Sequence, residues 1–519
     1  MRWTLPDLAS RLAVLHFVLW PGTTVLAVSL FSSEPASAPG FAGTAADITP
    51  RAALSSPWPN GPFATSDRWM TDASGNIMTY AGVNWPGHID VMIPEGLQYQ
   101  SVASLVSKVK SLGMNAIRLT YAIEMIDQIV DNGNKDIPIS KAFADALGQE
   151  NGTAVLQKVL KNNQGLFDEN TTRLQVFDAV AAECAKQQIY VHLDNHVSKA
   201  GWCCTPLDGN SWWGDKYFST ANWTRGLAYM ADHGKKWPNL MSMALRNELR
   251  GPFLSGGRPE PYNWDTWYKR MREGADAVHG ANGNVLIFLS GLNSDKDLGP
   301  VVQQDETLSG GSSKFSRSDF KGYGDGKLVL ELHYYDILRG SPPRDCAQVN
   351  GELDDAGFAA LGNASSTNRF PVLMTEFGFA QDPTTWNMTI HRCTEQFLAN
   401  RQAGWTIWAL GGSYYTREGT ADYDEPWGLL DHDWSDWRSP EHVRNGLLPL
   451  VKASLAASGG PAPPPPVKSS PSHEGEKKSV GVQQRQVTSL SLSGRTLSGI
   501  ALFLGSCDAW CHYVVFVVS

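Results

Sequence analysis

Two apolar runs in this sequence each end in a glutamate. Leu240-Met241-Ser242-Met243-Ala244 leads into Leu245-Arg246-Asn247-Glu248-Leu249, which sets an amide and a carboxyl side by side where the run stops. Pro371-Val372-Leu373-Met374-Thr375 leads into Glu376-Phe377-Gly378. Read as buried parallel strands, both runs place their glutamate at a strand's C-terminal end, where α/β barrels carry their chemistry. Two carboxyls converging from two strand ends form the pair that glycoside hydrolysis requires. One must be protonated to assist the departing oxygen, and the other ionised to attack or to activate water.

Other runs end in polar or aromatic groups. Asn115-Ala116-Ile117-Arg118-Leu119-Thr120 carries a charge in apolar surroundings, a costly placement unless a carboxylate pairs with it. One run ends in Asp194-Asn195-His196, another in His333-Tyr334-Tyr335, and a third carries Trp408. The first strand ends in Asn84-Trp85-Pro86-Gly87, which makes Trp85 a candidate for the cleft. Plainer readings stand beside these. Arg118 also suits an ordinary buried ion pair, and His192 reads as core. Trp202, Trp212 and Trp213 either line the cleft or pack inside. Asp431, Asp433 and Asp436 resemble a cation loop, but their spacing is poor and they read as a solvated loop. No phosphate-binding glycine loop or nucleophilic serine motif competes for the chemistry.

The elements that must position these groups alternate. Strands are expected at 77–83, 115–120, 189–196, 240–244, 285–290, 328–335, 371–377 and 405–410. Helices are expected at 101–112, 174–188, 223–236, 264–278, 355–361, 384–403 and 441–457, the first stopped by Gly113. Eight alternations favour a closed parallel (β/α)8 barrel over an open sheet. Residues 121–170 form a long connection expected to hold short helices and to shape the site.

The polar strand ends, in this order, resemble glycoside hydrolase family 5 over roughly residues 65–457. Arg118 follows strand two, and His196 lies in an Asp-x-His ending strand three. Asn247-Glu248 ends strand four, His333-x-Tyr335 strand six, Glu376 strand seven and Trp408 strand eight. The common Asn-Glu-Pro reads Asn247-Glu248-Leu249 here, which leaves the carboxyl in place and unsettles the subfamily. The resemblance implies retaining double displacement, with Glu376 as nucleophile and Glu248 as acid/base. It implies that an ionised Glu376 lifts the pKa of Glu248, and that Arg118 and Tyr335 orient Glu376. Asn247 would bond the sugar 2-hydroxyl, His196 and His333 would position hydroxyls or neighbouring side chains, and Trp408 would floor the site. By family frequency the expected substrate is β-1,4-glucan. Mannan, β-1,3/1,6-glucan and glycolipid remain open, as does a barrel that binds carbohydrate without cleaving it or an anchored wall protein.

Composition agrees with such a partner. The chain has 519 residues, a formal net charge of -9 and no basic cluster, which argues against a nucleic-acid surface. Its 19 tryptophans supply flat faces suited to sugar rings. The two-carboxyl chemistry needs no cofactor and no metal, and a monomer acting on a polysaccharide or oligosaccharide is expected. Adjacent Cys203 and Cys204 lack a suitably spaced histidine for zinc. Seven cysteines leave at least one without a partner inside the chain, and Cys346–Cys393 is the expected disulfide.

Residues 1–38 read as a signal peptide or signal anchor, and 39–62 as a flexible lead-in. Residues 63–457 form the catalytic domain, 458–488 a Pro/Ser-rich linker and 489–519 an apolar tail. Sequons at Asn151, Asn170, Asn222, Asn363 and Asn387 suit a secreted glycoprotein. Membrane attachment would come only through an apolar end, and Asp508 within the tail counts against a span there.

Overall fold

The computed structural model describes residues 58–463, apart from 206, 254, 255, 337–341, 363, 365 and 366. The expected leader, most of the lead-in, nearly all of the linker and the tail lie outside the described residues. Eight parallel strands close into a barrel: β1 (Ala81–Trp85), β2 (Ala116–Ala122), β3 (Tyr190–Val197), β4 (Leu240–Ala244), β5 (Leu286–Ser290), β6 (Leu328–Tyr334), β7 (Val372–Phe377) and β8 (Gly404–Ile407). The chain is a (β/α)8 barrel. Its strands are almost wholly buried, as expected where helices cover one face of a sheet and the barrel interior the other.

Helix starts follow their capping chemistry. The Ser101 side chain accepts the Ser104 N–H, and Thr172 with Gln175 forms a reciprocal capping box. The long connection after β2 holds three helices, Ile123–Asp131, Ile139–Leu147 and Gln149–Asn162.

One expected strand divides. Ile77–Met78 belongs to a small antiparallel sheet with Ala64–Ser66 and Trp69–Thr71, and β1 begins only at Ala81. A mostly apolar run continues through both pieces, so the pattern alone does not mark the break. This sheet closes the N-terminal end of the barrel. Its Met70 and Met78, with Phe63 just before its first strand, pack with Ala116 and Tyr190, the first residues of β2 and β3. The far end of the body is clasped to the same place: Ile77 N–H donates to the Gly460 carbonyl at 2.7 Å, and Ala462 N–H to the Gly75 carbonyl at 3.1 Å.

Disulfides join Cys346 to Cys393, tying helix Cys346–Ala356 to helix Thr389–Arg401, and Cys203 to Cys204. The first is the expected pair. Cys184 is buried and free.

Candidate active site

Period two along β3 shows how the barrel builds its site. Tyr190 packs at the closed end, and His192 bonds Ser242 Oγ at 2.7 Å inside the barrel. Asp194 meets Arg118 at 3.0 Å, and at the open end His196 stacks on Trp408 with ring centroids 5.6 Å apart. Alternate residues thus climb from apolar floor to polar mouth.

Arg118 is the hub. Its Nη1 donates to Glu376 Oε1 at 2.5 Å and to Asn84 Oδ1 at 2.9 Å. Its Nη2 donates to Asn247 Oδ1 at 2.9 Å and pairs with Asp194. The guanidinium is fully buried, and two carboxylates and two amides around it satisfy the cost of that burial. Tyr335 donates its hydroxyl to Glu376 Oε2 at 2.9 Å. A register irregularity between Met374 and Glu376 explains how Glu376 reaches Arg118. Thr375 also points inward, donating to the buried Glu331 carboxylate at 2.9 Å, and a bulge lets two consecutive side chains face the same way.

Glu248 lies past the end of β4 with a backbone φ of 48°. Its Oε1 is 3.1 Å from His333 Nδ1, which stands 3.6 Å from Glu376 Oε2. One oxygen of each carboxyl and a His333 nitrogen lie within 4.8 Å of one another. These three groups have the donor types of a metal site, but the Arg118 guanidinium against Glu376 opposes a second cation there.

Burial raises the pKa of Glu248, opposed chiefly by Arg250 and Lys296. Burial also raises that of Glu376, opposed by His333 and Arg118. Desolvation, more than repulsion from Glu376, is therefore the first cause of the raised Glu248 pKa, which revises the electrostatic expectation. The two carboxyls differ in their donors: Glu376 receives a guanidinium and a phenol, Glu248 a single imidazole. Burial is also the main cause that pushes His333 down to about 4. Burial also holds His196 and His88 well below the usual imidazole range, with help from nearby cationic groups.

Arg118, His196, Asn247, Glu248, His333, Tyr335, Glu376 and Trp408 thus form one linked cluster at the C-terminal end of the barrel. Trp85 does not join it. Asn84 faces inward, so Trp85 must face outward, where its fully buried indole donates to the Glu95 carbonyl at 3.0 Å. Trp212 and Trp213 are core, packed edge-on to each other. Trp202 packs edge-on to Trp408 at 6.2 Å. Asp431 is spent on its own turn, accepting the Ser435 N–H at 2.8 Å and the Asp436 N–H at 3.1 Å.

Several residues of the site are not among those singled out for a role in the sequence. Asn84 and Asp194 complete the ring around Arg118. The His88 ring lies 3.9 Å from that of His196. The Cys203 and Cys204 sulfurs lie 3.6 and 3.4 Å from Asn247 Nδ2.

Residues 72–413 match the family described as cellulase, glycosyl hydrolase family 5. A glycosyl hydrolase 5 family protein of Chamaecyparis obtusa is 34% identical over 392 residues, covering 74% of this chain. The chain spans 65% of that relative's own length. An endoglucanase of Paenibacillus polymyxa is 21% identical over 417 residues, covering 76% of this chain and 89% of its own. The crystal structure of a Pyrococcus horikoshii endocellulase with cellotetraose superposes with a TM-score of 0.53 at 18% identity, covering 75% of this chain and 98% of its own. By the family match over most of its barrel, this chain belongs to the cellulase family, glycosyl hydrolase family 5.

Proposed function

We propose that the protein is an exported endo-acting glucanase that cleaves β-1,4-glucan with retention of configuration. The observation that carries the reading is the Glu248–His333–Glu376 cluster, whose carboxyl oxygens approach within 4.8 Å. A separation of about 5–5.5 Å between carboxyls suits direct attack on the sugar, whereas inversion needs room for water between them. Glu376, held by Arg118 and Tyr335, attacks the anomeric carbon as Glu248 gives its proton to the departing glycosidic oxygen. In the second step Glu248 takes a proton from water, whose oxygen attacks the anomeric carbon and releases Glu376. Asn247 has its carbonyl oxygen turned to Arg118 and its amide nitrogen toward His196 and the Cys203 and Cys204 sulfurs, long contacts that a bond to the sugar 2-hydroxyl would replace. Trp408, backed by His196, offers a flat face to the cleaved sugar.

The endoglucanase and cellotetraose-bound relatives favour a glucan substrate over mannan. The leader and sequons of the sequence support export. The test is a panel of carboxymethyl cellulose, β-mannan and β-1,3-glucan, with proton NMR of the first reducing ends formed. Carboxymethyl cellulose should be cleaved fastest, and the β-anomer should appear before mutarotation. Faster turnover of mannan would overturn the substrate, and an initial α-anomer would overturn the mechanism.

A further inference from the structure

The loop after β5 holds three consecutive non-glycine residues in the left-handed region: Asn293 at φ 55°, Ser294 at 58° and Asp295 at 56°. Such backbone is unfavourable for L-residues and persists where its surroundings hold it, commonly at functional sites. The surroundings here are the turn that carries Glu248, itself left-handed. The two turns brace each other. Glu248 N–H donates to Asp295 Oδ2 at 2.8 Å, and Ser294 N–H donates to the Leu249 carbonyl at 2.9 Å. Asn293 is held from outside, donating its N–H to the Tyr262 hydroxyl at 2.8 Å.

Asp295 is fully buried, with Glu331 and Glu248 among its charged neighbours. A carboxyl in such a place is costly, and a simple turn would not require it. Its Oδ2 also lies 3.7 Å from His333 Nε2, on the far side of the ring whose Nδ1 meets Glu248 Oε1. Asp295 therefore addresses Glu248 twice, once at the main chain and once behind the imidazole.

We propose that Asp295 is a positioning residue for the acid/base. By accepting the Glu248 main-chain N–H it holds the left-handed turn, and so sets where the Glu248 carboxyl meets the departing oxygen. The inference rests on the acid/base reading of Glu248. A misplaced proton donor matters most when the leaving group is poor, because a good one departs without help.

The experiment compares the full-length wild type with Asp295→Ala, Asp295→Asn and Glu248→Ala on cellotetraose and on 2,4-dinitrophenyl β-cellobioside. In Asp295→Ala, kcat/KM for cellotetraose should fall on the order of 30-fold or more. For the activated glycoside it should fall less than about threefold, since proton donation is not needed there. Asp295→Asn keeps an acceptor for the N–H and should stay within about threefold of wild type on both substrates. Should Asp295→Ala not fold, Asp295→Ser, whose hydroxyl is too short to reach the N–H, takes its place under the same expectations. Equal losses on both substrates, no loss on cellotetraose, or failure of Asn to rescue would each overturn the proposal. Glu248→Ala separates the two levels. If it shows the leaving-group selectivity and Asp295→Ala does not, only the role of Asp295 falls. If neither shows it, the acid/base reading falls and this inference with it.

Discussion

Glu376 is aimed by other side chains, Glu248 by its own backbone. The first lies within β7 at a bulge, and its two oxygens are claimed by Arg118 and Tyr335. The second lies beyond its strand, its main-chain N–H anchored on Asp295 and its carboxyl met by His333. The difference matches the roles proposed for them. A nucleophile should stay ionised, and cationic and hydroxyl donors favour that state. A group that gives and regains a proton should be placed firmly while its oxygens remain lightly held.

The two carboxyls should part most widely in their chemistry. Glu376→Ala and Glu248→Ala should each lower turnover of cellotetraose on the order of 10^4-fold or more. Azide should then restore Glu376→Ala by forming an α-glycosyl azide, while Glu248→Ala should keep activity on activated aryl glycosides. Identical behaviour of the two variants on those glycosides would dissolve the distinction.

A second measurement concerns stability. Arg118→Met leaves Glu376 and Asp194 buried without their cation and should destabilise the fold by roughly 3–5 kcal/mol. Glu248→Gln disturbs only the lightly held carboxyl and should change stability by less than about 1 kcal/mol. Guanidinium unfolding of both variants checks this, and comparable losses would show that Glu248 is held as firmly as Glu376.

A smaller effect tests the same rule on a third carboxyl. Buried Glu331 makes its hydrogen bond to a hydroxyl, that of Thr375, and burial lifts its pKa from 4.5 to about 8. Between those values the folded protein keeps a proton that the unfolded chain has released. The unfolded state then binds fewer protons, so stability falls as pH rises through that window. Glu331→Gln should therefore lose less of its thermal midpoint than wild type between about pH 5 and about pH 8. Equal slopes would mean that Glu331 is ionised and that direct contact with Arg118 is not what sorts these carboxyls.

Much of this site was legible because buried parallel strands read as apolar runs, against which Arg118, Glu376 or His333 stands out. What stayed hidden depends on facing or on backbone. Asn84 and Trp85 are adjacent, and only the register decides which one enters the barrel. The bulge before Glu376 leaves no mark on residue types. Asp295 sits in Asn293-Ser294-Asp295-Lys296-Asp297, which reads as any solvated loop, and its importance comes from torsions that the sequence does not display. His88 follows a strand by three residues and carries no pattern of its own.

The clasp between Gly75, Ile77, Gly460 and Ala462 gives the body a single pole for both of its chain ends. Trp58, at the other end of the described chain, stacks on Tyr190 at that same pole with centroids 5.4 Å apart. The pole lies opposite the mouth where Glu248 and Glu376 meet. The mouth is therefore remote from the points where the described chain begins and ends. The same suture sets the minimal unit: a barrel cut at residue 457 would lose residues 459–462, and with them the stitch that holds its closing sheet.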